Sequence, residues 1–149
     1  MKIVEMWEKQ KFTYQQSLND FIDGKIKEGE KKDYDWLDLR YDDLITLLIK
    51  DIFSEISEYG IYGYGVVNDK IQFHRIDDGD YQGTIIYMIP KGDYQPYDYI
   101  LTKVSYGSCS GCDTLQGVEY DYRDNGDKDE LISELMTLSL HIIQRSKFV

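Results

Sequence analysis

Apolar positions in the first sixty residues recur at intervals of three and four, the spacing of one helix face. Thr13-x-x-Gln16 has the form of a capping box, and Leu18, Phe21 and Ile22 follow it before Gly24, so a first helix is expected there. Residues 25–35 are rich in Lys, Glu and Gly and have little to bury, which reads as an exposed connection. A stronger helix is predicted over residues 43–59. Leu44, Leu48, Ile52, Ile56 and Tyr59 form its stripe, and Ile45, Ile49 and Phe53 widen it. Asp42 or Asp43 can cap its start, and Gly60 stands where a left-handed residue would end it. This helix is expected to be the centre of the core.

From Ile61 the period changes to two. Residues 61–67 and 70–76 read as strands joined at Asn68-Asp69, and further strands are expected at 83–89 and 97–106. Asp77-Asp78-Gly79-Asp80 and Pro90-Lys91-Gly92-Asp93 have the composition of turns. A final helix is expected after Asn125-Gly126-Asp127, with Leu131, Leu135, Leu138 and Ile142 as its stripe. Its acidic first turn (Asp129, Glu130) and basic end (Arg145, Lys147) suit the helix dipole. The fold class that follows is α+β: an antiparallel meander of about four strands, packed against N-terminal helices and one C-terminal helix. Leu48, Ile52 and Leu135 are expected to be buried together.

Composition narrows the function classes. At 149 residues the chain suits one domain, 1–149. Lys and Arg total 17 against 28 Asp and Glu, giving a net charge of −11, so direct nucleic-acid binding through a basic field is not expected. No apolar run has the length of a membrane span and no signal peptide opens the sequence, so a cytoplasmic protein is expected. Ile, Lys and Tyr are abundant and Ala is absent, which reflects codon composition before mechanism. Aspartate outnumbers glutamate 19 to 9 and often flanks tyrosine. The densest such cluster is Asp93, Tyr94, Tyr97, Asp98 and Tyr99, the candidate binding residues. Carboxylates spread over a rigid surface can imitate DNA phosphates in a partner's basic groove, although acidic surfaces often serve solubility alone.

The two cysteines lie in Tyr106-Gly107-Ser108-Cys109-Ser110-Gly111-Cys112-Asp113-Thr114-Leu115-Gln116. Asp113-x-x-Gln116 can cap a short helix starting at Thr114. Three readings stay open for the thiols. A structural turn with both reduced needs nothing more. A zinc site needs about four ligands, with His74, His141 or a carboxylate joining Cys109 and Cys112. A redox pair would place the first cysteine, not Asp113, at the helix start.

This segment resembles a motif of uncharacterised small proteins encoded by bacteriophages and prophages, in which a helix similar to Leu135-Met136-Thr137-Leu138-Ser139-Leu140-His141-Ile142-Ile143-Gln144 follows. The resemblance covers roughly the last third of the chain. It implies phage origin and carries no assigned activity. In that family the position of Ser139 is often Cys, implying a Cys/Cys/Cys/His zinc set from which this chain departs by one ligand.

Other motifs are weak. Gly60-Ile61-Tyr62-Gly63-Tyr64-Gly65 lacks the lysine and setting of a phosphate loop. The aspartates at 77–80 and 121–129 lack calcium-loop spacing, and no serine elbow or histidine–nucleophile pair is evident. His141, beside the apolar stripe, reads as a partly buried, hydrogen-bonded histidine before a metal ligand. The expected function is a non-enzymatic phage protein binding a host or phage protein, with an acidic, DNA-mimicking anti-defence inhibitor as its specific form and no cofactor. The alternative is a zinc- or thiol-dependent protein, enzymes included, centred on Cys109 and Cys112.

Overall fold

The structure, a computed structural model, describes residues 3–33, 36–53, 73–79, 83–91, 98–107 and 113–149. Helix α1 spans Ile3–Lys31 and buries Met6, Trp7, Tyr14, Leu18 and Ile22 along one stripe. It passes through both predicted boundaries. Thr13 is exposed in mid-helix, and Gln16 donates to Asp20 instead of closing a capping box. Gly24 costs a helix about 1 kcal/mol relative to Ala, too little to stop one whose stripe is already buried on both sides of Thr13. The predicted connection therefore folds as two more turns, braced by a Lys32–Glu28 ion pair at 2.9 Å.

Helix α2 spans Tyr41–Asp51 and buries Tyr41, Leu44, Ile45, Leu48 and Ile49. Its N-cap is Arg40, and Asp43 contributes from the third helical position by accepting the Arg40 backbone N–H at 2.9 Å. The helix ends at Asp51 with Ile52 as its C-cap, so it does not run on unbroken to Tyr59 as expected; Ile56 to Gly60 lie outside the described residues, as does the 61–67 strand with its hairpin at Asn68-Asp69.

Strands β1 (His74–Asp77), β2 (Gly83–Lys91), β3 (Asp98–Tyr106) and β4 (Lys147–Phe148) form one sheet in that order. Every neighbouring pair is antiparallel. The register sets Ile85 against Val104, Tyr87 against Thr102 and Ile89 against Ile100, and all six are buried on one face. At the turn after β1, Asp78 accepts the Thr84 N–H at 2.7 Å and Asp77 accepts that of Gly79 at 3.1 Å. Pro90 and Lys91, expected in a turn, are the last residues of β2 and pair with Tyr99 and Asp98. Strand β4 was not predicted. Tyr99 and Val149 exchange two backbone hydrogen bonds beside it, and Lys147 belongs to this strand instead of the preceding helix.

Two helices follow β3, the one that Asp113-x-x-Gln116 can cap at Thr114 and the expected final helix. Helix α3 (Thr114–Asn125) starts where Asp113 accepts the Gln116 N–H, and ends at Gly126 with φ of 65°. Only glycine adopts that angle freely. Helix α4 (Lys128–Arg145) is capped by Asp127 and buries Leu131, Ile132, Leu135, Leu138, Ser139, Ile142 and Ile143. It lies against α1, α3 and β3, where Thr102 donates its hydroxyl to the Ile142 carbonyl at 3.1 Å. Leu48, Ile52 and Leu135 are each fully buried in a single cluster. The class is α+β, as the pattern predicted. Among the described residues, no helix is long and apolar enough to cross a membrane.

Candidate functional site

A cleft of about 290 Å3 opens between residues 36–42, the strand ends and the first turns of α3. Its construction begins with tyrosines placed by regular structure. Tyr41 opens α2, Tyr87 sits mid-β2 and Tyr106 ends β3. Each donates its hydroxyl to one aspartate. Tyr87 bonds Asp42 at 2.6 Å, Tyr106 bonds Asp77 at 2.5 Å, and Tyr41 bonds Asp113 at 2.9 Å. Burial, reinforced by the partner carboxylate, raises the ionisation of Tyr41 and Tyr87 well above the usual phenol range. These two phenols therefore remain donors. At Asp77 the Tyr106 hydroxyl, then the Gly79 N–H, holds the carboxyl below its ordinary value.

Arg75 reaches Asp42 and Asp77 at 3.5 Å each, and Arg40 reaches Asp38 at 3.7 Å. These lengths are ion pairs, not well-formed hydrogen bonds. On the rim, Trp36 meets the edge of Tyr120 at 5.1 Å between centroids, with the Arg123 guanidinium 4.8 Å from its ring centre.

Asp113 joins three elements. Besides Tyr41 it accepts the N–H groups of Gly107 and Gln116, both at 3.2 Å, tying the end of β3 to the start of α3. Glu119, one turn further along the same face as Leu115, is 4% exposed and accepts the Leu39 N–H. Burial pushes its carboxyl up to about 7; the Leu39 amide and Lys25 oppose the rise, while Asp38 and Asp113 add to it. A carboxyl poised there can exchange a proton at neutral pH.

The residues singled out by sequence fall elsewhere. Asp93, Tyr94 and Tyr97 lie outside the described residues. Asp98 opens β3, and Tyr99 follows it, partly buried and paired through its backbone to Val149. Cys109 and Cys112 also lie outside the described residues, so the open readings of the thiol pair concern a segment whose two flanks, Gly107 and Asp113, are joined by a hydrogen bond. His141 is exposed, contrary to the expected half-buried position, because it lies off the Leu131–Leu135–Leu138–Ile142 stripe. Ser139 is fully buried and bonds the Tyr14 hydroxyl at 2.6 Å. Positions two apart on a helix do not share a face, so 139 and 141 point to different surroundings. Among the described residues, no group of three His, Cys, Asp or Glu side chains is arranged to hold a metal ion.

The cleft residues Tyr41, Arg75, Tyr87 and Glu119 were missed from sequence. The one available signal was Glu119 itself, four residues after Leu115 and next to Val118 on a short amphipathic stripe. A carboxylate in line with two core positions is unusual enough to mark. No protein-family model, no curated protein and no solved structure matches this chain.

Proposed function

We propose that the protein is a non-enzymatic binding protein whose acidic, tyrosine-studded surface engages the basic groove of a protein partner, and that its phage-like motif marks it as an inhibitor of a nucleic-acid-handling host defence protein. The observation that supports this reading is the Tyr106–Asp77 bond at the cleft, where a tyrosine hydroxyl holds an exposed carboxylate. The hydroxyl itself fixes that carboxylate without neutralising it, and Arg75 reaches the same group at 3.5 Å. Fixed charges lose less entropy on meeting cations than carboxylates on free side chains do. With a net charge of −11, the surface attracts a basic partner and repels DNA.

The test is association kinetics with the partner recovered from infected cells. Charge reversal at Asp93 and Asp98, or at Asp77 on the cleft, should slow association on the order of tenfold and flatten its salt dependence. Tight DNA binding by the isolated protein, or inhibition insensitive to salt, would overturn this reading.

A further inference from the structure

We propose that the cleft seats the guanidinium of an arginine side chain carried by the partner, held by Glu119 and Gln116 of α3. This rests on the binding reading above and names the group that the partner brings. Two sets of acceptors line the cleft. Asp42 and Asp77 already have a guanidinium, that of Arg75, and Asp38 has that of Arg40. Asp113 and Glu119 have none among the described residues. Lys25 acts on Glu119 from α1 and Arg145 on Tyr41 from α4, but among the described residues neither cation forms an ion pair with Glu119 or Asp113.

The free acceptors are specific atoms. Glu119 is 4% exposed, and its Oε1 takes the Leu39 N–H. No donor reaches its Oε2 among the described residues. The fully covered side-chain oxygens there that lack a partner are Asp51 Oδ2 and Gln116 Oε1, so Glu119 Oε2 is open to the cleft. Gln116 stands three residues before Glu119, on the same face of α3, and lines the same cleft. Its Oε1 lacks a donor, which is rare for a covered acceptor. The terminal amide torsion is soft, so this oxygen turns towards an incoming N–H at small cost.

A ligand that satisfies both residues brings donors and no acceptor. Guanidinium does so: its N–H groups form a flat fork that serves two side chains at once, whereas ammonium is a compact, strongly hydrated point charge. Leu39 and Leu115 line the cleft beside these acceptors and give an aliphatic stem apolar surface to lie on. The Trp36 ring, also in the lining, already meets one guanidinium, that of Arg123, 4.8 Å from its centre. The cleft is open at its mouth, so an arginine enters without displacing Leu37 from the core.

The experiment is a titration of the isolated whole protein with N-acetyl-argininamide, with N-acetyl-lysinamide as the control. NMR follows the Leu39 amide, the Gln116 side-chain amide and the Trp36 indole. These three resonances should move together, and the arginine compound should bind about tenfold more tightly than the lysine compound. Glu119→Gln, which keeps an acceptor for Leu39 and loses the charge, should weaken binding of the arginine compound about tenfold. The partner is absent, so failure here removes the arginine seat alone, whereas salt-insensitive association removes the basic partner. Unmoved resonances, or equal affinity for the two compounds, overturn the proposal. So does unchanged affinity in Glu119→Gln, or movement confined to the neighbours of Arg75. Should Glu119→Gln fail to fold, the comparison of the two compounds on the wild type decides alone.

Discussion

Ser139 on α4 and Glu119 on α3 are both hidden from water, and they are treated in opposite ways. Ser139 is neutral, and its hydroxyl meets that of Tyr14 at 2.6 Å, two groups that each offer a donor and an acceptor. Burial raises the Tyr14 ionisation far above the phenol range, so this pair has a single protonation state. Glu119 is ionisable, has one backbone donor and faces two carboxylates. The first is a fastening inside the α1–α4 contact. The second responds to its medium. Burial alone does not distinguish a structural polar group from a functional one; the count of partners against the charge does.

The comparison breaks most severely if α4 is not part of the core. Leu135 lies one turn before Ser139 and is fully buried, so Leu135→Ala should lower the unfolding free energy by about 2–5 kcal/mol in denaturant titration. A loss below about 1 kcal/mol would remove Ser139 from the interior as well. The fastening itself is tested next. Tyr14→Phe keeps the ring beside Trp7, 5.5 Å away between centroids, and leaves Ser139 without that partner. The expected cost is about 1–3 kcal/mol. The double variant Tyr14→Phe/Ser139→Ala should recover part of it, since no buried hydroxyl is then left over. Strict additivity would show that the two hydroxyls do not act as a pair.

The smallest effect belongs to Glu119 and depends on pH. Its folded-state carboxyl lies near 7, above the ordinary 4.5. The folded chain thus holds a proton that the unfolded chain has released. The stability this confers is complete below pH 4.5 and is lost as pH rises to about 7. Glu119→Gln should match the wild type near pH 4.5 and exceed it at pH 8 by on the order of 1 kcal/mol. Melting curves at the two pH values check this, and parallel pH profiles would remove the contrast with Ser139.

What the sequence made readable follows the strength of local signals. Asp113 caps its helix where predicted and the final helix starts after Asp127 as expected, because each side chain reaches an N–H three residues on. Strands β2 and β3 are found within two residues of expectation because one face of each is buried and alternates. The start of α1 was missed because Met6 and Trp7 were not joined to the Tyr14–Leu18–Ile22 stripe. Strand β4 has two residues, too few for any period to show, and it forms only through β3. The cleft was unreadable for a related reason: Tyr41, Tyr87, Tyr106 and Glu119 are far apart in the chain and come together only through tertiary packing.

Helix α1 has graded stiffness along its length. From Ile3 to Asp23 it contains no glycine and is packed through Met6, Trp7, Tyr14, Leu18 and Ile22. From Gly24 to Lys31 it contains two, and a side chain at Gly24 would meet nothing within 4 Å. Glycine leaves the backbone freer to bend. The helix is thus a strut with a compliant end. A load applied near Lys32 would be taken up by bending in the last two turns before it reached Tyr14, shielding the core from whatever docks beside the cleft.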